Sequence, residues 1–162
     1  MLEISEIKLD DFKEIWPLLQ PTFAAGETYP LPMDVTADAV KTYWFSADKR
    51  VFAARLENGE VVGTYYIRPN QPGLGAHICN AGFVVSGKHG GQGIGTAMGR
   101  HALETAKKWG YRGMQFNLVA ANNLPSLRIW EKLGFEKIGK VPEAFYYKGQ
   151  KFVDAYILFK RL

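Results

Sequence analysis

One glycine-rich stretch constrains the fold of this 162-residue chain more than any other feature. The segment SGKHGGQGIG contains Gly90, Gly91, Gly93 and Gly95 within six positions. The run AHICNAGFVV before it is almost entirely apolar, which predicts a buried central strand. Apolar side chains recur every four residues between positions 92 and 109, which predicts a helix. A buried strand, a tight loop and a helix in this order are typical of α/β folds.

The N-terminal part of the chain predicts one strand followed by two helices. Residues 2–7 are predicted to form the strand, and Asp10 is predicted to be the N-cap of the first helix. Pro17 is expected to kink or shorten that helix, because proline lacks a backbone N–H and clashes with the preceding turn. The second helix is predicted to begin near Thr36.

The rest of the chain predicts six further strands and two further helices. Asn58 and Gly59 join two strand-like runs and predict a type I′ turn, in which both central residues have positive φ. The strand GMQFNLVA leads into a helix that begins at Asn122 or Asn123, and a short strand over 135–138 precedes the last strand, FVDAYILF. The order β-α-α-β-β-β-α-β-α-β-β predicts one α/β (α+β) domain over residues 1–162, with a mixed sheet.

Composition excludes several classes of protein. Cys79 is the single cysteine and His77, His89 and His101 are the only histidines, so neither a disulfide framework nor a metal site is predicted. No apolar run reaches the length of a membrane span, and the N-terminal MLEISEIKLD lacks an apolar signal segment, so a cytoplasmic protein is expected. The net charge of +4 comes from scattered basic residues, which predicts no nucleic-acid binding but leaves attraction to a small polyanion open.

The glycine loop is expected to hold an anion. Successive backbone N–H groups can turn toward one point, and the positive end of the following helix dipole is directed at the same point. A Walker A loop is excluded because Ile94, Gly95 and Thr96 stand where it needs Lys and Ser or Thr. A dinucleotide fingerprint is excluded because its glycine spacing is absent and GMQFNLVA contains no acidic residue. A glycine-rich turn without a ligand remains the alternative.

Two motifs resemble those of the GNAT superfamily of N-acetyltransferases. Gly93 and Gly95 match the glycines of motif A, Q/R-x-x-G-x-G/A, although Gly90 stands where Arg or Gln is usual. The segment NNLPSLRIWEKLGF is similar to motif B, N-x-x-A/S-x-x-L-Y-x-x-x-G-F, through Asn123 and Ser126 and through its final glycine and phenylalanine. The resemblance covers residues 4–162. It implies the GNAT fold: a mixed central sheet of about seven strands, with antiparallel N-terminal strands, a parallel central pair and about four helices.

The resemblance implies acetyl-CoA as cosubstrate. Its pantetheine would pair with the central strand like an extra strand, its pyrophosphate would lie in the glycine loop, and the N–H near Val84 would polarise the thioester if a bulge leaves it unpaired. Trp130 replaces the motif B tyrosine that protonates the leaving thiolate in most of the superfamily, so that role is vacant and core packing is its alternative role. The implied cofactor-binding residues are Phe83, Val84, Val85, Gly90, Gly91, Gln92, Gly93, Ile94, Gly95, Thr96, Asn123, Ser126 and Trp130.

Two asparagines make the chain similar to the yeast-type acetyltransferases of proline analogues such as azetidine-2-carboxylate and to their bacterial relatives. This resemblance implies that Asn80 and Asn117 hold the acceptor, the molecule whose amine is acetylated; ordinary hydrogen bonding to a loop is their alternative role. Glu27 is the first candidate base for the amine and His77 the second, with water or the acceptor's own carboxylate as third. Further candidates for lining the acceptor pocket are Tyr29, Tyr65, Tyr66 and Tyr146.

These features predict an acetyl-CoA-dependent N-acetyltransferase of a small amine or amino acid that works by direct attack in a ternary complex. One alternative is a protein or peptide N-acetyltransferase, in which GETYPLP and RPNQPGLG would border an open groove. The other alternative is a non-catalytic CoA-binding regulatory module, favoured by the departures at Gly90 and Trp130. A homodimer is left open.

Overall fold

A central sheet organises the computed structural model, which describes residues 1–162. The strands are β1 (Glu3–Ile7), β2 (Arg50–Arg55), β3 (Val61–Pro69), β4 (Ile78–Val85), β5 (Gly113–Ala120), β6 (Glu136–Tyr147) and β7 (Lys151–Arg161). The helices are α1 (Phe12–Ala25), α2 (Ala37–Trp44), α3 (Ile94–Lys108) and α4 (Leu124–Lys132). The strand order is β1-β2-β3-β4-β5-β7-β6, and β4 and β5 form the parallel pair among antiparallel neighbours. The predicted element order and mixed seven-stranded sheet are confirmed.

The helices cover the two faces of the sheet separately. Buried side chains of α1 and α2 pack with Tyr66 of β3 and Val84 of β4 on one face. Buried side chains of α3 and α4 pack with Tyr65 of β3 and Ala81 of β4 on the other. Because side chains alternate along a strand, each central strand contributes to both layers. The core is therefore two clusters separated by the sheet.

Helix α1 is longer than its prolines predict. A 3-10 turn, Leu9–Asp11, precedes it, so the N-cap is Asp11 and the prediction of Asp10 is wrong by one residue. Pro17 and Pro21 both lie inside the helix, which continues to Gly26 at φ 64°. Both prolines are exposed, whereas the inward stripe of the helix is buried, so packing of that stripe offsets the missing hydrogen bonds.

The turn between β2 and β3 differs from the predicted type I′ turn. Gly59 has φ 84°, but Asn58 does not have a positive φ. Gly59 N donates to Leu56 O and Leu56 N donates to Glu60 O, each at 2.9 Å. Asn58 Oδ1 accepts from Glu60 N at 3.0 Å. The chain thus forms a type I turn followed by a glycine bulge, because the asparagine side chain bonds its own backbone and holds φ negative.

Strand β6 is much longer than the predicted segment 135–138. It runs along the edge of the sheet for 12 residues and shifts register against β7 at two places. The second shift contains Pro142 and Glu143, whose φ is 50° and whose N–H donates to Asp154 Oδ1. The alternating pattern that predicts a strand is absent because most of β6 is exposed.

Candidate functional site

The parallel strands β4 and β5 are paired only at their beginnings. Ile78 lies opposite Gly113 and Cys79 lies opposite Met114, and beyond these pairs the two strands separate. At the point of separation Asn80 Nδ2 donates to Gln115 O at 2.9 Å, so a side chain takes the place of the next backbone hydrogen bond. The buried Asn80 therefore closes the narrow end of a gap in the middle of the sheet.

The β4 edge of this gap carries backbone groups that no strand satisfies. Ser86 N donates to Val62 O at 2.8 Å and Asn70 N donates to Ile78 O at 2.8 Å, which identifies two hydrogen-bonded pairs between β3 and β4. The register between them is continuous, so the bonded pairs occur at every second residue. The backbone N–H and C=O groups of the even-numbered residues of β4 thus point toward β3. The backbone N–H of Phe83 and that of Val85 point into the gap.

The predicted bulge near Val84 is wrong. Val84 lies directly opposite Thr64 in an unbroken register, and by the alternation its N–H belongs to the ladder with β3. The free donors are instead one residue to either side. A sequence alone does not reveal this, because the register of β4 against β3 decides which backbone groups are left over.

A cavity of about 480 Å³ occupies the gap and reaches both faces of the sheet. Residues 27–30, which follow α1, line one end, and Asn123, Ser126 and Trp130 of α4 line the other. Tyr29 Oη donates to Phe83 O at 3.1 Å, so the loop after α1 is bonded to the β4 edge. Burial raises the pKa of Tyr29 well above its usual value, which keeps the hydroxyl protonated as a donor.

Both predicted asparagines line the cavity. Asn80 and Asn117 also lie on the face of the sheet that α1 and α2 cover, since Phe116 points into the opposite cluster. Asn117 is exposed, donates to Asn70 Oδ1 at 2.7 Å and accepts from Gln115 Nε2 at 3.1 Å. Asn80 Oδ1 has no partner among the protein's hydrogen bonds, whereas the Oδ1 of Asn117 accepts one.

Two charged side chains line the cavity, Glu27 and Arg68. Glu27 forms an ion pair with Lys148, with Oε1 and Nζ 3.0 Å apart, and Lys148 N donates to Gly26 O. The turn between β6 and β7 thus holds the loop after α1 in place. Arg68 is not among the residues that the sequence predicted for the site. The available signal was its place near the end of a strand in the hairpin that leads into the strand of Asn80.

Three residues predicted near the acceptor lie elsewhere. His77 is exposed and precedes β4, because the strand begins at Ile78 rather than at the first residue of the apolar run, and it does not line the cavity. Tyr65 points to the α3 face, where its hydroxyl lies 2.6 Å from His101 Nδ1. Tyr146 lies on β6 and is exposed. The other two tyrosines that the sequence suggested, Tyr29 and Tyr66, do line the cavity.

The glycine loop lies between β4 and the N-terminus of α3, outside the cavity lining. Gly91 and Gly93 have φ of 77° and 79°, and a Cβ added at either would meet no atom within 4 Å. Their conformation requires glycine, and the space above them is open. Gly95 differs, because a Cβ there would lie 2.9 Å from Ile129 Cδ1 of α4. A side chain at position 95 would therefore require the terminal methyl group of Ile129 to move.

The motif B residues are linked to one another on α4. Asn123 is the N-cap, and its Oδ1 accepts from Ser126 N. Trp130 Nε1 donates to Ser126 Oγ at 2.8 Å, and its ring packs against Phe83 with centroids 4.8 Å apart. The indole N–H is thus already bonded, while the ring forms part of the cavity wall. Packing and contact with the cavity are both roles of Trp130.

The structure places neither a cysteine thiol nor a metal-binding cluster in the cavity. Cys79 is buried on the α3 face, does not line the cavity, and burial raises the pKa of its thiol to about 12. No group of three His, Cys, Asp or Glu side chains is arranged to hold a metal ion. None of the helices combines the length and apolar character that crossing a membrane requires.

Comparison with known proteins identifies the family. The profile of the Acetyltransferase (GNAT) family matches residues 10–135. The chain belongs to this family. It is 34% identical over 148 residues to N-acetyltransferase aca1 of Schizosaccharomyces pombe, a match that covers 82% of this chain and 71% of that protein. The predicted family and enzyme class, acetyl transfer to an amine, are confirmed.

Further relatives agree in family and fold. The chain is 28% identical over 102 residues to the L-amino acid N-acetyltransferase AaaT of Escherichia coli, a match that covers 62% of each chain. Its structure is similar to that of a GCN5-related N-acetyltransferase from Kribbella flavida, with a TM-score of 0.92 and 31% identity over 99% of this chain and 98% of that chain. The whole chain thus has the GNAT fold, whose acetyl donor is acetyl-CoA.

The residues present fit acetyl-CoA. The gap exposes unpaired N–H groups of Phe83 and Val85, which an extended amide chain such as pantetheine can pair with. Open space lies above the positive-φ residues Gly91 and Gly93 at the start of α3, where backbone N–H groups and the helix dipole favour a pyrophosphate. The missing motif A side chain at Gly90 does not affect this backbone cradle.

Proposed function

We propose that this N-acetyltransferase acetylates the amine of a small molecule or amino acid by direct attack in a ternary complex. The cavity that passes through the sheet carries this proposal. Its volume of about 480 Å³ is in the range of small-molecule sites. Its two ends open on different faces, so donor and acceptor can enter from opposite sides and meet at the gap between β4 and β5. The relative AaaT of Escherichia coli is named for L-amino acid acetylation.

The donor would be held by the α3 and α4 side of the site. Phe83 and Val85 would pair with the pantetheine, residues 90–96 would enclose the pyrophosphate, and Trp130 would support the pantetheine from α4 together with Asn123 and Ser126. When bound, acetyl-CoA supplies an acetyl group activated as a thioester. The gap-facing N–H groups of β4 are then the candidate donors to the thioester carbonyl, in place of the N–H of Val84.

The acceptor amine would be oriented by the asparagines. Asn80 is held rigidly through Nδ2, and its free Oδ1 can accept a hydrogen bond from the amine. Asn117 is held by Asn70 and Gln115 and would position the remainder of the acceptor. An amide does not remove a proton at neutral pH, so both residues position the amine rather than deprotonate it.

Glu27 would attract the cationic amine and receive its proton. An amine of pKa 9 to 10 costs roughly 3 to 4 kcal/mol to deprotonate at pH 7, at about 1.4 kcal/mol per pK unit. Glu27 is the only carboxylate in the cavity lining. It lies on the loop after α1, at the end of the cavity where the acceptor would bind, which we call the acceptor end. Its ion pair with Lys148 holds the carboxylate in place on the loop after α1.

The leaving thiolate needs no acid from the protein. A thiol has a pKa of about 8.5, so its anion is a tolerable leaving group near neutral pH. Trp130 does not supply a proton, because its N–H is bonded to Ser126 and indole is not acidic. Cys79, the single cysteine, lies outside the cavity and is therefore not placed to form an acyl-enzyme. Both facts favour direct attack of the amine.

Thiol release from acetyl-CoA tests the proposal across L-amino acids, proline analogues, polyamines, aminoglycosides and peptides. We expect turnover with small amines or amino acids. We expect Asn117→Ala and Glu27→Gln to lower kcat/KM about tenfold or more. Glu104→Gln, which changes an exposed carboxylate on α3, serves as the matched control. Turnover of peptides alone would instead identify a peptide acetyltransferase, and acetyl-CoA binding without any turnover would identify a regulatory module.

A further inference from the structure

Arg68 lines the cavity, and one donor of its guanidinium is unsatisfied. It lies on β3 directly opposite Asn80 of β4, so the two side chains share the face that α1 and α2 cover. Arg68 Nε is buried and has no hydrogen-bond partner. A buried donor without a partner costs about 1 to 3 kcal/mol, which a protein retains more readily where a ligand satisfies it.

The groups around Arg68 leave an excess of positive charge. The nearest carboxylate is Asp48, whose Oδ2 lies 3.6 Å from Arg68 Nη1, beyond hydrogen-bond distance, while its Oδ1 accepts from Ser46 Oγ at 2.6 Å. Lys49 Nζ lies over the rings of Tyr43 and Tyr66, which line the same cavity. Burial and the neighbouring Arg68 lower the pKa of Lys49 to about 8. One carboxylate thus faces two cationic side chains.

The two charges that line the cavity have opposite signs and come from different elements. Glu27 lies on the loop after α1, and Arg68 lies near the end of β3. A zwitterion carries a cationic amine and an anionic carboxylate, which complement Glu27 and Arg68. A guanidinium binds carboxylates through two parallel N–H···O bonds, which fixes orientation as well as charge.

We propose that Arg68 binds the carboxylate of the acceptor and thereby selects amino acids over simple amines. This inference rests on the proposed function and names the acceptor class of the same site. Arg68 anchors the carboxylate, Asn80 accepts a hydrogen bond from the amine, and Glu27 attracts the ammonium form. An amine without a carboxylate leaves Arg68 Nε unpaired in the complex, which is the physical basis of its rejection.

Matched acceptors test this selection. L-Proline is compared with L-prolinamide and pyrrolidine, and L-methionine with L-methioninamide, by thiol release at saturating acetyl-CoA. For each of the two amino acids that wild type turns over, we expect kcat/KM to be at least tenfold higher than for the matched compound without a carboxylate. Arg68→Gln is expected to lower kcat/KM for carboxylates at least tenfold and to bring each pair within about threefold, without changing the KM for acetyl-CoA.

Two further variants separate recognition from folding. Arg68→Lys retains the charge without the planar fork and should recover part of the carboxylate preference. Arg112→Gln removes an exposed arginine that does not line the cavity, and it should leave the preference unchanged. Thermal unfolding and acetyl-CoA affinity of each variant show whether it is folded.

Each outcome has a distinct meaning. Equal turnover of acids and amides by wild type, or an unchanged ratio in Arg68→Gln, would overturn the role of Arg68 while the proposed function stands. Absence of turnover with every acceptor would overturn the proposed function instead. In that case the same pairs are titrated calorimetrically into the complex with CoA. Binding that requires both the carboxylate and Arg68 would support the anion site, and any other result would refute it.

Discussion

The two faces of β4 show how one strand contributes both to the core and to the site. Cys79, Ala81 and Phe83 point into the hydrophobic cluster formed with α3 and α4. Asn80 and Val84 point toward α1 and α2, where the cavity is bordered by charged and amide groups. The first side gains stability from packing. The second side leaves polar atoms available to a ligand at some expense of stability.

The difference comes from strand pairing rather than from composition. Along one edge, β4 is paired with β3 over its whole length. Along the other edge, its pairing with β5 ends after Cys79. On the face of α3 and α4, large rings such as Phe116 and Trp130, whose centroids are 4.6 Å apart, pack beside the gap. On the face of α1 and α2, Tyr29 and Tyr66 line the cavity from the loop after α1 and from β3, and β5 presents Asn117 to it. Substitutions of buried residues that do not line the cavity should therefore change stability, and substitutions of residues that line it should change activity.

Met98→Ala should have the largest effect on stability. Met98 is fully buried on α3 and packs against β3, where a Cβ at Gly63 would lie 2.6 Å from its sulfur. Truncation of a buried methionine to alanine costs about 2 to 5 kcal/mol. Urea unfolding should show this loss, while kcat/KM per folded molecule stays within about twofold. Lys107→Ala, at an exposed position of α3, is the control. A tenfold loss of activity per folded molecule would contradict the separation of the two sides.

Asn80→Ala should affect both properties, because Asn80 joins the two regions. Gln115 O loses its hydrogen-bond donor, which should lower stability by about 1 to 3 kcal/mol. Loss of the amide should lower kcat/KM by about tenfold to a hundredfold, as expected for a positioned polar group at the reacting centre. Urea unfolding and steady-state kinetics measure the two effects. Asn122→Ala, at an exposed residue before α4, should change neither. Unaltered kinetics in Asn80→Ala would restrict Asn80 to a structural role.

Tyr29→Phe should have a smaller effect. The variant loses the hydrogen bond from Tyr29 Oη to Phe83 O, worth about 1 kcal/mol, and keeps the aromatic packing against Phe23 and Trp44. We expect the loop after α1 to be less firmly held and the KM for the acceptor to rise about fivefold. Tyr146→Phe, which alters an exposed ring on β6, is the control. If both variants have the wild-type KM, the bond does not contribute to acceptor binding.

Lys49→Met should reveal a modest pH dependence of stability. In the folded protein the pKa of Lys49 is lowered to about 8, so between about pH 8 and the ordinary lysine value the unfolded chain binds more protons. The stability of wild type relative to Lys49→Met should therefore rise with pH across this range. The change is on the order of 1 kcal/mol, because solvent screens a partly exposed side chain. Urea unfolding of both proteins at pH 7, 8.5 and 10 measures it, and a constant difference would refute it.

Much of the fold could be predicted because its signals are local. The four-residue spacing in α3, the glycine at Gly110 with φ 87° after it, and the apolar run of β4 each depend on neighbours in sequence. Errors occurred where a distant contact decided the outcome. Pro17 did not end α1 because the buried stripe of the helix packs on the sheet, and β6 lacks alternation because little of it is buried.

The site was predictable to the extent that side-chain alternation determines it. Alternation places Asn80 and Asn117 on particular faces of their strands, and the structure brings both to one cavity. The same rule did not identify Arg68, because its significance lies in a buried Nε and in a 3.6 Å separation from Asp48. Those properties depend on how the segment before β2 packs beside β3.

The amino-acid sequence by itself determined the order of the elements, the glycine loop and the two family motifs, since each is a pattern among residues close in the chain. Only the tertiary structure decided that β4 and β5 separate after two pairs and that the N–H groups of Phe83 and Val85 face the gap. It also decided that Glu27 and Arg68 line one cavity. Register and the distance between remote side chains depend on the packing of the whole molecule, which no local pattern encodes.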